Sequence, residues 1–197
     1  MLNHFKAYLT DKAYFTDAEL DRITASVKIV QLAKGESLYT EGTNWPYDGI
    51  VCRGLLYKHT ELNGNEKVMG FSSENYWVGD RASWLAGRVL PYTSTALEDT
   101  CVALIEQDEF DNLRVAIPAL NELFENLVQK HLELNHKRVT ESLLLSDEER
   151  YAKFMVLRPG LASRLSQNQI ASYLDMSMES LSTILNGIPW SQKIKTT

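Results

Sequence analysis

The chain has 197 residues, 44% hydrophobic and 23% charged, with a formal net charge of −6. That is enough for one large or two small domains with real cores, and the composition is that of an ordinary soluble protein. No apolar run approaches the roughly 20 residues that span a bilayer. The first residues, MLNHFKAYLTDKAYF, interleave Lys6, Asp11 and Lys12 with apolar positions and offer no secretory leader, so the cytoplasm is the expected location.

In chain order, residues 1 to about 26 read as helical. Leu2, Phe5, Leu9, Phe15, Leu20 and Ile23 recur at helical spacing, and Thr16-Asp17-Ala18-Glu19 is a capping box that fixes a helix start. From Val27 the period shortens. The runs VKIVQL, YDGIVCRGLLYKHTEL, EKVMGF, YTSTALED and TCVALIEQ alternate or are continuously apolar, and glycine turns separate them. Asn63-Gly64 is the strongest hairpin signal, because a two-residue turn with positive φ at both positions favours this pair. A β-roll or barrel-like sandwich is predicted. Cys52 and Cys101 lie 49 residues apart with no CxxC and no clustered histidines, so both read as buried thiols, and no metal or cofactor is expected.

After Gln107 the period is helical again. A short helix is predicted over 109 to 117, and Pro118 suits the start of a long helix to about Leu145. Along it Leu120, Phe124, Leu127, His131 and Leu134 are spaced alternately by four and three, with Val128, Leu132 and Val139 beside them. This seam predicts a homodimer, with packing on the chain's own β-domain as the alternative. His131 reads as a core histidine with a polar partner rather than a metal ligand or pH switch.

Ser146-Asp147-Glu148-Glu149 is a second capping box and opens a helix through Leu157, which Pro159-Gly160 is predicted to end, at the seam between the helix bundle and the stretch that follows. Ser166 and Ser177 can each cap a following helix, and Ile170, Leu174, Leu181, Ile184 and Leu185 give the two helices one apolar face. Ala171 allows close approach, and Asp175 suits the hinge. The stretch 165 to 185 therefore reads as a helix-turn-helix, with an ordinary core hairpin as the alternative. The tail from Asn186, with Trp190, Lys193 and Lys195, reads as a partly ordered end. From Ser146 onward six basic residues face five acidic ones, a net of +1. That is less acidic than the rest but is not a basic patch. No nucleophile elbow, phosphate loop or HExxH is present, so an enzyme is not expected.

KGESLYTEG (34 to 42), LNG (62 to 64), YWVGD (76 to 80), ALEDT (96 to 100), QNQIASYL (167 to 174) and SMESLS (177 to 182) occur in that order. With them the chain resembles the Crp/Fnr family of bacterial transcription regulators, over nearly its whole length and in the short Bacteroidetes-type form. The resemblance implies an α+β fold: a cyclic-nucleotide-binding-like double-stranded β-roll with N-terminal helices (1–117), a dimerisation helix (118–145) and an all-α, winged-helix-like helix-turn-helix domain (146–197). It implies double-stranded DNA as partner, read in the major groove by a homodimer, and a small-molecule effector in the roll.

Two departures follow from matching this sequence to the family pattern. Gly79 and Asp80 fall on the glycine-acid pair that starts the phosphate-facing helix, but the phosphate-pairing arginine position falls on Leu90, which cannot neutralise a buried phosphate. Cyclic AMP and GMP are therefore not the expected effectors, although Arg81 and Arg88 are close enough in sequence to contribute to a pocket. In the second helix the two family arginine positions hold Met178 and Thr183, leaving Glu179, Ser182 and Thr183 for base edges or phosphates. Ser166, Gln167, Asn168, Ser177 and Ser180 complete the expected DNA-facing set. Weak DNA binding is predicted. The alternative is an effector-binding or protein-interaction module that has lost sequence-specific DNA binding.

Overall fold

The computed structural model describes residues 2–187. The described residues form two compact units: 2–60 with 69–129, and 61–68 with 130–187. Among the described residues no helix is long and apolar enough to cross a membrane.

The first unit opens with α1 (Leu2–Lys12) and α2 (Asp17–Ala25). The capping box forms as expected, with Thr16 Oγ1 accepting from the Glu19 N–H at 3.3 Å and Glu19 accepting from the Thr16 N–H at 2.8 Å. Eight strands follow: β1 (Lys28–Leu32), β2 (Ser37–Tyr39), β3 (Tyr47–Arg53), β4 (Leu56–Leu62), β5 (Asn65–Ser72), β6 (Trp77–Val78), β7 (Thr93–Ala96) and β8 (Thr100–Glu106). They make two four-stranded sheets, β1-β8-β3-β6 and β2-β7-β4-β5. The short helix α3 (Arg81–Leu85) lies between β6 and β7 in sequence. Between β4 and β5, Asn63 (φ 55) and Gly64 (φ 76) both take positive φ, the turn expected of this pair.

β8 shows why the roll needs helices outside it. Its apolar run TCVALIE is buried at every position but the last. Period two sends Ala103 and Ile105 to one core and Val102 and Leu104 to the other. The outer core also takes Phe5, Leu9 and Ile23 from the N-terminal helices, Ile50 and Cys52 from β3, and Phe110 and Leu113 from α4 (Gln107–Ala116). The inner core holds Tyr39, Val51, Leu56, Leu90 and Tyr92. Each such side chain contributes roughly 1.5–3 kcal/mol when fully buried. Both cysteines are buried free thiols.

Helix α5 (Pro118–Leu144) runs from the first unit into the second. The second unit adds α6 (Asp147–Leu157), α7 (Pro159–Ala162), α8 (Gln167–Leu174) and α9 (Met178–Gly187). Two sequence expectations are corrected here. Pro159 and Gly160 do not mark a seam: Pro159 sits at the first turn of α7, where its missing N–H costs nothing, and Ala162 packs in the same core as α6 and α8. α4 also begins at Gln107, two residues earlier than expected, with no side-chain cap bond at Glu106.

Candidate functional site

The helix pair at the C-terminal end is built from local signals. Ser166 accepts from the Gln169 N–H at 3.3 Å and Gln169 Oε1 accepts from the Ser166 N–H at 2.9 Å, a full capping box on α8. Ser177 Oγ accepts from the Ser180 N–H at 3.0 Å, capping α9. Between the helices Asp175 adopts φ 57 and ψ 44, the left-handed conformation that Asp tolerates better than most residues. Ile170, Ala171 and Leu181 form the buried contact with Tyr151 and Phe154 of α6, and Leu174, Ile184 and Leu185 surround it.

A residue counted as free charge in the sequence turns out to be structural. Arg150 donates to the carbonyls of Leu174 (3.1 Å) and Asp175 (3.4 Å) at the hinge, to the Leu145 carbonyl (2.9 Å) and to the Asp147 carboxylate (2.6 Å). It thereby satisfies carbonyls left open at the ends of α5 and α8. Lys153 is likewise spent on Glu141 at 2.7 Å, and Arg138 lies over the Tyr173 ring, 4.8 Å from its centroid. Lys193 and Lys195 lie outside the described residues, as does Trp190.

Ser166, Gln167 and Asn168 are exposed at the start of α8. Ser177, Met178, Glu179, Ser182 and Thr183 are exposed on α9, while Ser180 is partly buried. Positions 178, 179, 182 and 183 share one helix face. Thr183 Oγ1 donates to the Glu179 carbonyl at 3.0 Å, so one of the short polar groups on that face is already engaged.

The candidate effector residues do not converge. Asp80 caps α3: one carboxylate oxygen accepts from the Ser83 N–H at 2.9 Å and the other from the Tyr92 hydroxyl at 2.5 Å. Lys58 Nζ donates to that hydroxyl at 3.4 Å and sits 4.7 Å from the Tyr92 ring centroid. Burial would raise the Asp80 carboxyl, but the Tyr92 and Ser83 hydrogen bonds and the Lys58 charge outweigh it and hold it below the usual carboxylate range. Burial lowers the Lys58 ammonium, and Asp80 opposes this.

Arg81 turns elsewhere, pairing with Asp48 at 3.2 Å and with Asp111. Asp48 is almost fully buried, and burial pushes its carboxyl up to about 6 against the pull of Arg81. Gly79, at φ 147, is required there: a Cβ would lie 2.4 Å from Asp48 Oδ1. Arg88 is exposed and Leu90 is buried in the inner core. Two of the five residues therefore join separate polar clusters: Arg81 goes to Asp48 and Asp111, and Asp80 to Lys58 and Tyr92, which sequence reasoning missed. A lysine in an alternating strand reads as solvent-facing, and nothing in the period shows that Lys58 meets Tyr92, 34 residues on. Tyr39, Trp45 and Tyr92 pack beside this cluster, with ring centroids 5.0 Å (Tyr39 to Trp45) and 6.1 Å (Tyr39 to Tyr92) apart. The Trp45 Nε1–H is buried without a hydrogen-bond partner.

The seam of α5 divides in two. Leu120 is buried in the outer core, Phe124 packs against Trp77 and Phe110, and Leu127 packs beside them, so these three are satisfied within the chain. Leu134 is exposed, as are Leu132, Val139, Leu143 and Leu144. His131, read as a core position, is exposed, because the helix has passed the outer core by that point.

No family model matches the chain. It is 24% identical over 183 residues to the transcriptional regulatory protein btr of Bordetella pertussis, covering 85% of this chain and 74% of that one. FixK2 of Bradyrhizobium japonicum superposes with a TM-score of 0.70 at 18% identity, over 81% of this chain and 83% of that one. CLP of Xanthomonas campestris, a c-di-GMP responsive global regulator, superposes with a TM-score of 0.69 at 14% identity, over 87% and 90%. The chain has the fold of these regulators and of a transcriptional regulator assigned to the Crp/Fnr family from Eubacterium rectale, which superposes with a TM-score of 0.67 at 14% identity over 87% of this chain and 82% of that one.

Proposed function

We propose that this protein is a homodimeric, cytoplasmic DNA-binding transcription regulator that reads the major groove weakly and does not respond to cyclic AMP or GMP. The observation that carries the reading is the capped helix pair with its left-handed hinge, which leaves one face of α9 and the start of α8 open. The exposed apolar stripe Leu132, Leu134, Val139, Leu143 and Leu144 supports pairing of two copies along α5. Weakness follows from chemistry: no arginine fork stands on the reading face, and Lys153 and Arg150 are paired within the chain.

Against a cyclic nucleotide stand buried Leu90 and the commitment of Arg81 to two carboxylates. The Lys58–Tyr92–Asp80 cluster and the unpartnered Trp45 Nε1–H support a small effector of another kind, one carrying hydrogen-bond acceptors.

Selection of genomic fragments by the purified protein tests the function. Retained fragments should share two half-sites about one helical turn apart, and retention should fall with salt on a shallow slope. Met178→Arg should tighten binding by about 1–3 kcal/mol at a guanine-containing site. If low salt retains no fragment, the second reading takes over, in which the helix pair serves packing alone. Met178 on the reading face favours that reading.

A further inference from the structure

β5 is the last strand of its sheet, so one of its edges lacks a strand partner. The N–H and C=O groups along such an edge need another source of hydrogen bonds. Glu66 and Val68, two residues apart, point these groups to the same side, and one side chain answers both. Ser172 Oγ on α8 accepts from the Val68 N–H at 2.8 Å and donates to the Glu66 carbonyl at 3.3 Å. The intervening Lys67 pairs with the carboxylate of Asp175, the left-handed hinge residue. The Lys67 hydrogen bond and charge hold the Asp175 carboxyl below the usual range. All of these groups lie in the C-terminal compact unit, although β4 and β5 run on from the hairpin tip into the β-roll.

These contacts fall on the middle of α8 and on the hinge. Ser166, Gln167, Asn168, Met178, Glu179, Ser182 and Thr183 remain exposed. A contact that leaves the reading face open holds it and does not block it.

We propose that the β4–β5 hairpin tip is a brace for the helix-turn-helix, in which Ser172, Lys67 and Asp175 are positioning residues that fix the orientation of α9 for a DNA groove. The role rests on the DNA-reading function proposed above. Ser172 is the central member, because a hydroxyl both donates and accepts and so closes both edge groups at once. The Lys67–Asp175 pair is half-exposed and contributes less, to a degree that salt reduces.

Hydrogen exchange and retardation of selected genomic fragments, measured on the full-length protein as wild type, Ser172→Ala, Ser172→Thr and Lys67→Ala, test the brace. Ser172→Ala should speed exchange of the Val68 amide about tenfold and weaken DNA binding by about as much. Ser172→Thr, which keeps the hydroxyl, should restore both, and Lys67→Ala should give a smaller loss that disappears at high salt. Unchanged Val68 exchange in Ser172→Ala overturns the brace. Faster exchange with equal or tighter DNA binding overturns the positioning role in favour of a restraint. A wild-type protein that retains no DNA, with Val68 exchange still accelerated in Ser172→Ala, sinks the DNA-reading function while leaving the contact standing.

Discussion

The β-roll of the first unit and the helix pair of the second both neutralise charges within the chain, but at different depths. Around Asp48 the pairing starts in the core: the buried carboxylate lies against Gly79 and meets the partly buried Arg81, which reaches on to Asp111 nearer the surface. Around the helix-turn-helix it lies nearer the surface, where Lys153 meets Glu141 and Lys67 meets Asp175. Depth decides what the pairing does. Buried partners are mutually indispensable, because an uncompensated charge in a core is costly, whereas exposed partners are worth little to stability and matter through geometry.

The largest effect should come from separating the buried pair. Arg81→Leu should destabilise by about 3–5 kcal/mol at pH 7, read as a fall in Tm, because it leaves the Asp48 carboxylate buried without its partner. Asp48→Asn should cost much less. The sign in pH follows from the raised folded value. Asp48 holds its proton more tightly when folded, so its contribution to stability is greatest below the ordinary carboxylate range and is lost as pH rises toward about 6. Denaturant melts between pH 4 and 7 should show this slope in the wild type and a smaller one in Asp48→Asn.

A smaller effect should separate the two halves of the α5 seam. Leu120→Ala should lose about 2–5 kcal/mol as a core truncation. Leu143→Asp should change protomer stability by no more than about 0.5 kcal/mol, as an exposed position, yet shift the protein toward monomer in analytical ultracentrifugation. A fully monomeric wild type would refute the pairing of two copies along this stripe.

A modest effect should appear at the start of α8. Ser166→Ala should remove about 1 kcal/mol by stripping the cap from α8, and chemical denaturation should detect it. Loss of that size with unchanged DNA retention would show that the start of α8 is structural and makes no DNA contact.

Residues 165 to 185 were nearly all legible in advance. Serine caps, a left-handed hinge and helical spacing are local properties, and the backbone obeys them without help from distant residues. The same holds for the Thr16 and Ser146 capping boxes and the Asn63-Gly64 turn. The candidate sensor residues were not legible in that way. Gly79, Asp80, Arg81, Arg88 and Leu90 are close in the chain, but a short helix start and a strand end send them in different directions, and Asp80 joins Lys58 and Tyr92 instead.

What the sequence by itself determined is therefore the order of elements, their caps and turns, and the absence of an arginine at Leu90, Met178 and Thr183, because side-chain identity and short-range hydrogen bonding need no tertiary context. Only the tertiary structure decided which half of the α5 seam is core, that Arg81 turns to Asp48 and Asp111, that Arg150 holds the hinge, and that Ser172 closes the open edge of β5. Those outcomes depend on which surfaces meet across long sequence separations, and the period of a single helix or strand carries no record of its partner.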